Sequence, residues 1–246
     1  MLHLRRFWLA TLVLIALLGS ACTPVAAPPP APFTRTVDLS HVVREDMPQL
    51  PDEPLTRLVR DQQGRIYQLS LGLRTGSVLH VAAAADAEVT HSEALSPRDL
   101  VVPAVVIDAR AQAQNQPAFR LSRADILAWE QRHGLIPAGS VVLLATGWDL
   151  HWGDSAAYLN LGPDQQPQVP GYAPETATFL LEQRQVAGLG LDTPLLAYTP
   201  SQGFALLLEN LTNLEQVPPT GSTLVIGALR LQRAQRSPAR VLALVP

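Results

Sequence analysis

Several short stretches of this chain carry side chains able to do chemistry. His80, Asp86 and His91 lie close together in sequence, and imidazole nitrogens with a carboxylate are legitimate ligands for a divalent metal. Asp38-Leu39-Ser40-His41 sets a carboxylate and an imidazole three residues apart, a spacing that also suits a cap or turn. Thr146-Gly147-Trp148-Asp149 closes an apolar run, with His151 and Trp152 behind it. Strand ends of that kind hold ligand contacts in α/β folds, although Trp148 could equally cap the core of a turn. Glu209 directly follows the apolar run Phe204–Leu208, as an N-cap or as a functional carboxylate on a rigid base.

Composition narrows the chemistry these groups can do. Of 246 residues, 18 are basic and all of those are Arg, so a Schiff-base, catalytic or P-loop lysine is excluded. One Cys permits neither an intramolecular disulfide nor a Cys-rich metal cage. A formal net charge of −3 leaves no electrostatic footprint for nucleic acid. Carboxylates, histidines, hydroxyls, backbone and a metal remain.

The elements that must position them begin after a distinct front segment. Residues 1–22 read as an export signal: Arg5 and Arg6, then the apolar run Phe7–Ala21, too short to span a bilayer comfortably. Small residues before Cys22 resemble a bacterial lipobox, with Gly19 standing where an aliphatic residue is usual. Cys22 is then a lipid anchor, the membrane is a partner through that lipid alone, and the mature protein is extracytoplasmic. Residues 23–33, rich in Pro and Ala, form a stiff tether. Residues 34–246 then form a single mixed α/β domain. Buried strands are expected at Val101–Ile107, Val141–Ala145, Leu189–Leu191, Thr223–Ile226 and Val241–Val245. One helix is expected after the capping-box residues Ser122 and Asp125, ending at Gly134. Another should open at Pro174, with Phe179, Leu180 and Leu181 on its buried side and Gly188 after it.

Taken in order, the segments resemble the cyclase family, whose best-known members are bacterial kynurenine formamidases. The matching pieces are Asp38-Leu39-Ser40-His41 with Met47-Pro48, Pro103–Asp108, Thr146-Gly147-Trp148 with Trp152-Gly153-Asp154, Leu191-Asp192-Thr193-Pro194, Glu209–Leu214 and Ser237–Val241. The resemblance implies a swivelling β/β/α domain, commonly a homo-oligomer. It implies hydrolysis of an amide such as N-formylkynurenine, with one divalent metal, zinc in the formamidases, activating water and a histidine moving the proton. Of the family's ligand set Glu209 is retained; a rebuilt site would take His80, Asp86 or His91, and Glu209 as metal ligands, with one histidine, His80 or His91, left as the catalytic proton shuttle. Arg74, Thr146, Trp148 and Asp192 would face a small-molecule substrate.

The family's ligand motif H-x-G-T-H-x-D-x-P-x-H is degenerate here. Aligned without a gap, Arg74 and Val78 replace its first two histidines, His80 its aspartate and Ala84 its last histidine. With two residues inserted, His80 takes the second histidine's place and Asp86 the last one's. A fixed positive charge from Arg74, if turned inward, would oppose a metal and favour an anionic ligand. The expectation is therefore a cyclase-like lipoprotein with hydrolysis weakened or lost; the alternative roles are a rebuilt hydrolase and a non-catalytic binder of a small anion or a protein partner. For the anchor, Cys22→Ala should move the protein from the membrane to the soluble fraction on cell fractionation; unchanged membrane retention would refute the lipobox reading.

Overall fold

The computed structural model describes residues 33–85, 87–114, 116–194 and 198–246. The signal, Cys22 and the tether up to residue 32 lie outside the described residues, as does Asp86. Twelve strands are described: β1 (Arg35–Asp38), β2 (Arg57–Arg60), β3 (Ile66–Ser70), β4 (Val78–Ala83), β5 (Val101–Asp108), β6 (Arg120–Leu121), β7 (Val141–Ala145), β8 (Gly171–Tyr172), β9 (Gly188–Leu191), β10 (Phe204–Glu209), β11 (Ser222–Ala228) and β12 (Arg236–Val245). The α-helical segments are α1 (Arg110–Ala113), α2 (Arg123–His133), α3 (Ser155–Leu159) and α4 (Pro174–Thr178).

One sheet organises the domain, in the order β1-β12-β11-β5-β7-β9-β10-β4. Strand β4 also pairs with the start of β12, through Arg236↔His80 and Pro238↔Val78, so the sheet closes on itself like a barrel. Strands β5, β7, β9 and β10 run parallel, and β4, β11, β12 and β1 are antiparallel to their neighbours. Alternation along the strands divides the apolar side chains between two layers. Leu79, Val81, Val106, Leu143, Leu206, Leu208, Leu224 and Val241 fill the inside. Leu144, Leu189, Leu191 and Leu207 lie on the outside, under Ile126 and Trp129 of α2 and under Phe179 and Leu180. This is why the β5 and β7 runs are apolar throughout: both faces are covered.

Local signals explain the helices. Ser122 Oγ accepts from Asp125 N at 3.3 Å while the Asp125 carboxylate accepts from Ser122 N at 2.9 Å, the expected capping box. Gly134 ends α2 with φ +86°, a conformation that disfavours a side chain. Pro174 opens α4, which widens into a π turn over Phe179–Gln183. Leu181 is only partly buried there, and Gly188 belongs to a strand.

Gly188 shows how tightly the parallel strands meet. A Cβ at that position would lie 2.0 Å from the Leu206 carbonyl oxygen, a backbone atom that cannot swing aside. Gly188→Ala should destabilise the domain by about 3 kcal/mol, since overpacking against backbone finds no relief. A denaturant midpoint equal to that of the wild type would refute this packing.

Candidate functional site

Because β5, β7, β9 and β10 run in one direction, their carboxyl ends gather at one rim. Thr146, Asp192 and Asn210 each follow such an end. Asp192 is buried and receives three donors: Thr146 N at 2.8 Å, Gly147 N at 2.7 Å and Thr146 Oγ1 at 2.5 Å. Burial pushes its carboxyl up to about 7, aided by the nearby Asp149 charge and opposed by the Thr146 and Gly147 hydrogen bonds. Gly147, at φ +75°, makes the turn that brings both amides to bear.

A second set of bonds continues from there. Tyr158 Oη donates to Asn210 Oδ1 at 2.9 Å and to the Asp192 carbonyl at 3.2 Å. Asn210 Nδ2 donates to Gly76 O at 2.6 Å, Ser77 Oγ donates to Asn210 O at 2.7 Å, and Ser77 Oγ accepts from His41 N at 2.9 Å. The His41 ring stacks on Trp152, with centroids 3.8 Å apart. Trp148 is buried against Tyr158, and its Nε1 donates to the Tyr158 carbonyl at 2.8 Å. Thr146, Asp192 and Trp148 thus spend their main polar groups on the fold, and Trp148 caps a core as the turn reading allowed. Thr146 and Trp148 still border a cleft of about 390 Å³, with Arg110 and His151 on its wall.

The described candidate metal ligands, His80 and Glu209, lie elsewhere, on the outer face of the closed sheet. Register sets Leu207 opposite His80 and Glu209 opposite Val78, so all four side chains share the face of Leu207. Arg236 on β12 pairs with His80 from the other side. Its Nη2 lies 3.1 Å from His80 Nδ1 and 3.8 Å from Glu209 Oε1. Glu209 is only 3% exposed, and at an effective dielectric near 20 the pair attracts by about 4 kcal/mol before desolvation is charged against it. Burial, with help from the Arg236 charge, holds His80 down at about 4, so the ring is neutral at pH 7. Arginine can only donate, so Nδ1 accepts and the neutral ring must carry its proton on Nε2.

That donor set does not fit a divalent metal. The one lone pair of His80 is turned to a guanidinium, Glu209 faces the same cation, and Val78 adds only carbon. Among the described residues no group of three His, Cys, Asp or Glu side chains could hold an ion. His91 stands apart, its Nδ1 2.8 Å from Thr90 Oγ1 at the start of a 3₁₀ turn over Ser92–Ala94. Arg74 corrects the sequence expectation: Nε donates to Glu53 at 2.6 Å and Nη2 is bonded to Asp52, so its charge is balanced by two carboxylates. The positive charge beside the candidate ligands comes instead from Arg236. That residue was invisible to sequence reasoning; it directly precedes the matching segment Ser237–Val241, and only cross-strand register reveals its neighbours.

A closed, helix-flanked α/β sheet with a polar outer face between β4, β10 and β12 is the swivelling β/β/α architecture. The Cyclase family model matches residues 37–197, and the chain belongs to the cyclase family. It is 34% identical over 169 residues to isatin hydrolase from Roseibium aggregatum; the match covers 63% of this chain and 64% of that relative's length, short of two thirds of it. Among solved structures it resembles isatin hydrolase A from Ralstonia solanacearum, at 32% identity and TM-score 0.77, over 86% of this chain and 92% of that one. It also resembles an isatin hydrolase bound to the product analogue thioisatinate, at 28% identity and TM-score 0.76, over 86% and 92% of the two chains.

His41 supplies a titration test of this network. Burial lowers it from 6.5 to about 4, against a raising contribution from a hydrogen bond to the Leu211 backbone. Below pH 6.5 the unfolded chain takes a proton that the folded chain refuses until about pH 4, so this group's stabilisation is lost as pH falls through that window. Asp192, raised to about 7, acts in the opposite sense, so the informative quantity is a difference. The stability advantage of wild type over His41→Phe should shrink between pH 6.5 and 4, measured by denaturant melts; a pH-independent difference would contradict the assignment.

Proposed function

We propose that this chain is a cyclase-family protein in which metal-dependent amide hydrolysis is weakened or lost. It works outside the cytoplasm as a lipid-anchored binder of a small amide or the carboxylate derived from it. The observation that carries the reading is Arg236 Nη2 set against both His80 and Glu209, the two candidate ligands that the fold brings together. The relatives named isatin hydrolase, one holding thioisatinate, support a small planar amide or its ring-opened acid as the ligand class. The cleft beside Thr146 and Trp148 is of a size that suits such a molecule.

Those same relatives favour a second reading, retained hydrolysis at a rebuilt centre, with isatin or N-formylkynurenine as substrate and zinc as the metal. Here the metal would have to draw on Asp86, and Arg236 would have to leave.

The two separate on purified full-length protein. Metal analysis, turnover of isatin and N-formylkynurenine, and tryptophan-fluorescence titration with isatin and its ring-opened acid are the measurements. We expect substoichiometric metal, no turnover and saturable binding. About one metal per chain together with turnover would establish the hydrolase instead. Neither turnover nor binding would sink both readings.

A further inference from the structure

We propose that this chain pairs with a second copy of itself along the free edge of β3, with Leu69 of one copy facing Leu69 of the other across a two-fold axis.

The β2–β3 ribbon stands outside the closed sheet and joins no third strand. A two-stranded ribbon is marginal in water, and three or more strands are what make such a sheet stable. Apolar exposure gathers on it. Of the eleven large apolar side chains exposed among the described residues, five lie between positions 55 and 73: Leu55, Ile66, Tyr67, Leu69 and Leu73. Tyr67 is 67% exposed and Ile66 53%, and every residue of β3 is exposed.

The two edges of the ribbon differ. Along β2, the Glu45 carboxylate accepts from Leu58 N at 2.9 Å and from Arg60 Nη1 at 3.3 Å, while Arg57 and Arg60 place charge at both ends of the strand. Charges of this kind close an edge to foreign strands. Strand β3, Ile66-Tyr67-Gln68-Leu69-Ser70, has no charge and no Pro. Register tells which of its groups are free. Leu58 lies opposite Leu69, and Leu58 N points away from β3 to Glu45, so the two form a non-hydrogen-bonded pair. The Leu69 amide and carbonyl therefore point away from β2, to the side along which no strand runs. The irregularity of the ribbon lies beyond this pair, between Val59 and Arg60.

That edge is its own complement. In an antiparallel pairing centred on Leu69, the two copies of this residue exchange both N–H···O bonds, Gln68 faces the partner's Ser70 and Tyr67 faces the partner's Leu71. No like charges meet across the axis. The product is a four-stranded sheet in the order β2-β3-β3-β2, which a two-fold closes without leaving a growing end.

The test is a charge swap on full-length protein, read by light scattering in mild detergent with the micelle mass subtracted. Wild type should be a dimer. L69K and L69E, each alone, should dissociate at concentrations at least about tenfold higher than wild type, because like charges then oppose each other on the axis. An equal mixture of L69K and L69E should dimerise again. A monomeric wild type would overturn the proposal and leave the edge to a strand of another protein. L69K and L69E that stay dimeric would overturn it too, since the dimer would then use another surface. If the charged variants do not fold, L69C replaces them: facing Cα atoms about 5.5 Å apart are within disulfide reach. L69C should give a reducible dimer on gels beyond any formed by wild type through Cys22, and a wild-type dimer without that cross-link refutes the pairing.

Discussion

A buried carboxylate organises this domain. Asp192 ends one parallel strand and takes both backbone amides and the hydroxyl that follow the next, so β7 and β9 are tied at their carboxyl ends by charge-assisted bonds. Its own carbonyl then accepts from Tyr158, which grips Asn210, which reaches Gly76 and, through Ser77, the segment holding His41. Six stretches far apart in sequence meet through these bonds. Low local dielectric makes each bond strong and each unmade bond costly, so the arrangement tolerates little change. Thr146 and Asp192, expected from the sequence to face a substrate, also join the barrel rim through these bonds.

That division separates scaffold from chemistry. The rim can be kept intact while the outer face between β4, β10 and β12 changes its electrostatics, because different strands' ends and different faces carry the two. On the outer face a fixed monovalent cation meets a buried carboxylate and a neutral imidazole. Such a centre is nearly balanced in charge. Its imidazole, held near 4, stays neutral at pH 7.

Much of the fold was legible in the sequence where one residue's neighbours along the chain decide its fate. The apolar runs at Val141–Ala145 and Val101–Ile107, the Ser122–Asp125 capping box and Pro174 all act locally, and each element begins or ends where those residues place it. Strand β4 was not legible, because its Ala-rich sequence has no strand period; the sheet on both sides makes it a strand. The β2–β3 hairpin escaped for a similar reason, since most of its residues are exposed. The site fared worst. Arg74 and Arg236 are alike as letters, and only pairing across strands shows that one is balanced by Glu53 and Asp52 while the other faces His80.

The way β12 closes the sheet has a consequence for how the chain acquires its shape. This strand pairs with β1, β11 and β4, so the ring closes only when β12 is in place. Contacts of such large sequence separation impose a high contact order, and their loop-closure entropy must be met before any of them forms. The inner layer, which includes Val241, Ala243 and Val245, stays open to water until β12 pairs. Until β12 pairs, the inner apolar faces and the edges of β4 and β11 are what a chaperone would have to shield.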